Sequence, residues 1–291
     1  MPPLFPLTLA LYAAACTLYF VAVAQPQLTW PSRLATPLIG CGLLSQVVDI
    51  AWLCMRGQHP ASSAREALFF ASFLMLAALP LRTFRQPLPL LGALLVPVAM
   101  VIEVLVRVLP MRHGLGEVTA AAVSPKLATL HIFSATLGIA LFGVAAAASV
   151  VYLISERRLK RRPSQLFGGG GWRGPSLEML DAWNQQAIVF GLLVFTAALV
   201  SGTYWLLQVP LPGVNAPASE PGLLQQAEHL LRQPRYTLAV LTWLLYAGLL
   251  VARVVLGLRG GRAARVTLLG FGTGLAVLLF YLIRDLRGLQ P

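Results

Sequence analysis

The chain has 291 residues, of which 57% are hydrophobic and 11% are charged, and its formal net charge is +12. Soluble domains carry about 25% charged residues, so this composition excludes a water-soluble globule and indicates a multi-pass membrane protein. The basic residues lie in short segments between apolar runs. Membrane insertion produces this distribution, which argues against nucleic acid as a partner.

Eight apolar runs are each long enough to cross a bilayer as a helix, which takes roughly 20 residues. They cover roughly 4–24, 34–55, 63–81, 88–109, 127–154, 184–207, 237–256 and 264–283. Lipid offers no hydrogen-bond partners to the backbone, so a spanning segment must satisfy its own backbone groups. The pattern therefore predicts an all-α integral membrane bundle in which residues 1–291 form a single transmembrane domain.

The orientation follows from Lys and Arg, which are enriched on the cytoplasmic side of membrane proteins. The densest basic segments follow Ile154 and Leu256, so both termini are predicted to lie outside the cytoplasm (N-out, C-out). In the outer connection between spans six and seven, apolar residues recur at helical spacing: Leu223, Leu224, Ala227, Leu230 and Leu231. This pattern predicts a short helix that lies in the outer interface.

Polar side chains gather near the outer ends of the spans under this topology. His131 lies about one turn inside the outer end of span five, and Gln46 and Asp49 share one face of span two. Glu103 and Arg107 are four residues apart in span four, close enough to pair. An acid at the depth of Asp49 is costly unless it is paired or functional.

Aromatic side chains and a further histidine accompany this group. Tyr204 and Trp205 end span six, Trp243 lies in the outer half of span seven, and His229 lies on the predicted interfacial helix. Taken alone, such aromatics are typical of a membrane-interface belt, and a transmembrane histidine is as often a helix–helix contact as a ligand. Together with His131, Gln46 and Asp49, they predict an outer-leaflet cavity for a flat apolar ligand held by imidazole, for which haem is the leading candidate. All of these side chains are candidate contacts to that ligand.

Several segments resemble one family of membrane proteins. Leu130-His131-Ile-Phe-Ser134-Ala135, with the apolar run that ends in Tyr152-Leu-Ile-Ser-Glu-Arg-Arg, is similar to the histidine-bearing helix of the cytochrome c assembly family, of the CcsA/CcmC type. The later helices of that family are matched by Thr196-Ala-Ala-Leu-Val-Ser201-Gly202, Trp243-Leu-Leu-Tyr246 and Arg259-Gly-Gly-Arg262. The resemblance covers about 125–283 and is strongest to the shorter HemX/YpjD-like branch.

The resemblance implies a bacterial inner-membrane protein that binds or passes haem b at the outer leaflet. It implies His131 as an axial ligand to the haem iron, and other cytochrome c assembly or haem-pathway membrane proteins as partners besides the bilayer. Such a protein ligates and transfers haem rather than turning over a substrate, so we do not expect an enzyme.

The chain also departs from the family pattern. Gln46 takes the place of an early-span histidine, and residues 210–235 contain no tryptophan where haem-handling members carry a tryptophan-rich signature. His229 is an unmatched candidate for a second ligand. Two alternatives therefore stay open: a family member that acts as a membrane scaffold or regulatory partner without haem, and a small ion transporter that uses Asp49, Glu103 and Arg107.

Overall fold

The computed structural model describes residues 3–57, 64–83, 88–108, 125–161, 175–208, 228 and 231–286; side chains at several helix ends, that of Trp205 among them, lie outside this description. All regular secondary structure in these ranges is α-helical, which confirms the predicted all-α membrane bundle. The helices are α1 (Phe5–Ala24), α2 (Trp30–Met55), α3 (Ala64–Thr83), α4 (Pro89–Val108), α5 (Pro125–Arg161), α6 (Leu177–Gln208), α7 (Pro234–Val255) and α8 (Gly261–Leu286).

Two helices extend well beyond the apolar runs that predicted them. α5 continues past Ile154 to Arg161, and its last turns are stabilised by a 2.7 Å ion pair between Lys160 and Glu156. α6 begins at Leu177, where the Ser176 hydroxyl accepts a 3.2 Å hydrogen bond from a first-turn N–H group. Apolar runs mark only the part of a helix that lies in lipid, so polar turns at the interface escape a hydropathy reading.

Six of the described helices, namely α1, α2, α4, α5, α6 and α7, are long and apolar enough to cross a membrane. α3 holds a shorter apolar stretch, Glu66–Pro80. α8 carries Arg262 and Arg265 in its first turns, which lowers its hydropathy. The chain is therefore a multi-pass membrane protein in contact with the lipid bilayer.

The helices pack as two groups of four that share one boundary. In α1–α4 the core is built around side chains such as Tyr12, Ile39 and Val96, whereas Phe142 and Tyr246 stack at 3.9 Å in the core of α5–α8. α5 belongs to the second group but also packs against α3 and α4. It therefore connects the two halves of the bundle.

Contacts between helix ends fix which polar residues share one end of the bundle. The Leu4 N–H, just before α1, donates to Asp49 near the end of α2 at 2.9 Å. Near the end of α6, the Thr203 hydroxyl lies 3.2 Å from that of Tyr236 at the start of α7. We call this the histidine end, because it also carries His131. That it faces away from the cytoplasm stays a prediction.

The predicted interfacial helix lies mostly outside the described residues. Within them, the Arg232 N–H donates to the Glu228 carbonyl at 3.0 Å, and the two side chains form a 2.6 Å ion pair. Both contacts are typical of one α-helical turn. The described residues cover no more of the predicted interfacial helix than this turn.

Candidate functional site

His131 lies on α5 and is held against α6. Its Nδ1 is 2.8 Å from the carbonyl oxygen of Ala198 and 3.5 Å from the hydroxyl of Ser201. A carbonyl can only accept, so Nδ1 carries the proton and the ring lone pair is on Nε2. This hydrogen bond therefore fixes both the tautomer and the orientation of the ring, as the partners of metal-binding histidines do.

Gly202 allows α6 to lie directly against the imidazole. A Cβ atom built on Gly202 would be 2.6 Å from His131 Cε1 and 2.9 Å from Nδ1, too close for either atom to remain in place. The role of Gly202 was not predicted from the sequence, where this glycine figures only in the family resemblance. A glycine on one helix that faces a polar side chain on its neighbour is the sequence pattern that could have indicated this role.

The structure does not gather all the predicted aromatics around His131. The Trp243 indole donates to the Thr196 hydroxyl at 2.8 Å. Thr196 lies two residues before Ala198, which is roughly 200° around α6, so Trp243 and His131 contact opposite faces of that helix. Tyr204 is half exposed, and both the side chain of Trp205 and His229 lie outside the described residues.

A surface depression of about 500 Å³ also lies at the histidine end. The described residues that line it form one stripe on α5: Lys126, Thr129, Leu130 and Phe133. His131 is not among them, because it points from a different face of the same helix. The aromatic-ringed cavity around His131 therefore stays a prediction.

Gln46 organises a second polar cluster at the histidine end. It is fully buried, and its Oε1 accepts a 2.7 Å hydrogen bond from the Tyr12 hydroxyl. This bond orients the amide so that Nε2 donates to Glu103 Oε1 at 2.5 Å and reaches Ser72 Oγ at 3.0 Å. The Ser72 hydroxyl lies 2.6 Å from the same Glu103 oxygen. The cluster thus joins α1, α2, α3 and α4 through side chains.

The charged residues around this cluster differ from the predicted ion pair. Glu103 takes its hydrogen bonds from Gln46 and Ser72 rather than from Arg107. The Arg107 guanidinium lies over the rings of Phe5 and Phe69, at 5.1 Å and 4.8 Å from their centres. Helical spacing placed Glu103 and Arg107 within reach of each other, but it could not show that donors from α2 and α3 occupy one of the two carboxylate oxygens.

Gln46 and Asp49 do lie together on the buried face of α2, as predicted from their spacing. They belong to the α1–α4 half, whereas His131 is held by α6. Between the two halves, the rings of Phe70 on α3 and Phe133 on α5 contact each other, with their centres 5.5 Å apart. Tyr12 and Ser72 were missed from the sequence because single hydroxyls are common in apolar spans.

Comparisons with known proteins place the chain among cytochrome c assembly proteins. A family model described as "Cytochrome C assembly protein" matches residues 61–211, which include His131 and its contacts on α6. Similar curated proteins are each named cytochrome c biogenesis protein CcsA. The one from Synechococcus sp. (strain CC9311) is 24% identical over 286 residues, covering 90% of this chain and 88% of the relative. The one from Guillardia theta is 21% identical over 247 residues, covering 80% and 76%.

A third relative, from Prochlorococcus marinus (strain MIT 9515), is 25% identical over 268 residues, covering 86% of this chain and 79% of the relative. No solved structure matches the chain. The alignments with these relatives span more of the chain than residues 125–283, the stretch over which the sequence resemblance is good.

Proposed function

Because the chain belongs to the cytochrome c assembly protein family, we propose that it handles haem during cytochrome c biogenesis, with His131 as an axial ligand. In this proposal haem b is bound or passed at the outer leaflet of a bacterial inner membrane by residues 1–291 acting as one transmembrane unit. Other cytochrome c assembly or haem-pathway proteins are its partners. The role is ligation and transfer rather than catalytic turnover.

The observation that carries the proposal is the hydrogen bond from His131 Nδ1 to Ala198. It keeps the proton on Nδ1 and directs the lone pair to Nε2, which is the state an imidazole needs to bind a metal. The residues present fit haem in one respect: His131 can occupy one axial position on the iron. When bound, haem supplies an iron centre that accepts such a nitrogen ligand.

The surrounding residues have separate tasks in this scheme. Ala198 and Ser201 keep the His131 ring oriented, and Gly202 leaves room for it between α5 and α6. Exposed apolar side chains near the start of α5, such as Leu130 and Phe133, exclude water from the surface of α5 that faces the bilayer. Trp205 and His229 remain candidate contacts to the haem. Trp243 and Tyr204 would contact it more peripherally.

The test is a haemin titration of the purified protein in detergent, followed by the Soret absorption band. We expect His131→Ala to lower haemin affinity by at least about tenfold, the loss typical of a missing ligand or its support. His59→Ala, a histidine to which the proposal gives no role, is the control and should titrate like the wild type. An unchanged Soret band and affinity in His131→Ala would reject the ligand assignment.

A second candidate is a scaffold or regulatory partner that does not bind haem. It is favoured by the Gln46 cluster, where the residue in place of a family histidine is already engaged by Tyr12, Ser72 and Glu103. Two results together would support this function: a wild-type protein that takes up no haemin, and partner proteins that still co-purify with His131→Ala.

A further inference from the structure

A second polar contact connects α5 and α6 far from His131. Asn184 on α6 is 3% exposed, and its Nδ2 donates to the Ala145 carbonyl at 2.9 Å and to the Ser149 hydroxyl at 2.8 Å, both on α5. The opposite atom, Oδ1, accepts a 2.5 Å hydrogen bond from Arg253 on α7. Because a guanidinium can only donate, Arg253 fixes the orientation of the amide and leaves Nδ2 to face α5.

The two polar contacts between α5 and α6 are in the same antiparallel register. Ala145 lies 14 residues after His131 on α5, and Asn184 lies 14 residues before Ala198 on α6. Fourteen residues are close to four turns, or about 21 Å. The same alignment of α5 and α6 therefore forms both the hydrogen bond from Asn184 to Ala145 and the one from His131 to Ala198.

The α5 surface at the Asn184 contact cannot define the alignment by shape. Residues 145–148 are four consecutive alanines, all buried. A run of identical small side chains packs almost equally well after a shift along the helix. Closer to His131, Phe195 lies against Gly138 and Phe142 against Gly191, which favours the same register without hydrogen bonds. Buried asparagines are known to specify register in apolar helix pairs.

We propose that Asn184 is a positioning residue for His131: it sets the register of α5 against α6 and thereby keeps the imidazole on the Ala198 carbonyl. Arg253 supports it by orienting the amide. The inference concerns the placement of His131 and can be tested without haem, although its importance for haem rests on the proposed function.

The test measures the rate at which diethylpyrocarbonate modifies His131 in the purified, haem-free protein, followed by peptide mass spectrometry. We expect Asn184→Leu to raise the rate by about threefold or more, which corresponds to the ~0.6 kcal/mol of an average hydrogen bond between membrane helices. Gln185→Leu is the matched control: the same side-chain class is replaced one residue away at an exposed position, and the rate should not change.

Asn184→Asp combined with Ser149→Ala separates register from simple packing. The carboxylate keeps the shape and the acceptor for Arg253 but removes the donor to Ala145, and without the Ser149 hydroxyl no side chain on α5 can donate to it. We expect the double variant to behave like Asn184→Leu. A wild-type rate in the double variant would overturn the proposal. Should either variant fail to fold, Ser149→Ala removes one acceptor from α5 and should raise the rate in the same direction; no change there would also overturn it.

Haemin titration of the same variants distinguishes the two proposals. If the wild type binds no haemin but Asn184→Leu still exposes His131, the proposed function fails and the positioning role stands. If the wild type binds haemin through His131 and neither Asn184 variant changes its modification rate, the positioning role fails and the proposed function stands.

Discussion

At the scale of single residues, the absence of one side chain matters as much as the presence of another. Gly202 faces the imidazole of His131, and the space that its Cβ would need is taken by the ring. A ring at the end of a side chain can rotate away, whereas the helix backbone cannot. A larger residue at this position should therefore displace His131 without unfolding the bundle.

We predict that Gly202→Ala breaks the hydrogen bond from His131 to Ala198 at a cost of only about 0.6 kcal/mol in the free energy of unfolding. Haemin affinity should fall by several fold, because the lone pair of Nε2 is no longer directed. Thermal unfolding and haemin titration measure the two effects. Gly248→Ala is the control, since nothing lies within 4 Å of a Cβ at that glycine; equal behaviour of the two variants would contradict the prediction.

The sequence was most informative about residues whose chemistry is costly in lipid. His131, Gln46 and Asp49 stood out because polar groups are rare in such spans, and Gln46 and Asp49 are indeed buried. Their partners were not predictable. A backbone carbonyl such as that of Ala198 has no sequence signature, and the hydroxyls of Tyr12 and Ser72 match common residues of apolar helices.

At the scale of helices, the Gln46 cluster holds α1–α4 together through side chains on all four. Each member is buried, so removing one leaves another polar group without its partner, and this costs more than the hydrogen bond alone. The cluster should therefore respond to mutation as a unit rather than as separate residues.

We predict that Gln46→Leu lowers the free energy of unfolding by about 1–3 kcal/mol, because Glu103 loses a donor and Tyr12 loses its acceptor. Adding Glu103→Leu should cost less in this background than in the wild type, with a coupling of about 0.5–3 kcal/mol. Reversible denaturation in mixed micelles measures all four corners of the cycle. Gln185→Leu controls for the loss of an exposed glutamine, and strict additivity would rule out a shared network.

The rough positions of the described helices could be predicted, because each of them contains an apolar run long enough to lie in lipid. The ends of α5 and α6 could not. Those turns are stabilised by local bonds, such as the pair between Lys160 and Glu156, that are independent of hydropathy. The register of α5 against α6 also escapes prediction, since it depends on an amide whose partners lie on three other helices.

At the scale of the whole molecule, the helix connections divide into two sets. Residues 25–29 between α1 and α2 and 256–260 between α7 and α8 lie at the end opposite His131, whereas the turn at Gly57 lies at the histidine end. Whichever way the bundle is inserted, these two sets must face opposite sides of the membrane.

We predict that an impermeant thiol reagent added to intact cells labels a cysteine introduced at Gly57 but not one introduced at Gln27 or Arg259. This follows from the excess of basic residues near Arg259, which should be retained in the cytoplasm. The native cysteines are replaced first, and permeabilised cells control for expression and reactivity. Labelling at Arg259 with protection at Gly57 would invert the topology.

α5 contacts both halves of the bundle, so a change in its position can pass from one half to the other. The same helix presents His131 to α6 and, two residues later, Phe133 to Phe70 of α3. If His131 binds a ligand as proposed, a rotation of α5 on capture or release would change the contact between these two rings. The first four helices would then respond to occupancy of the imidazole without touching the ligand.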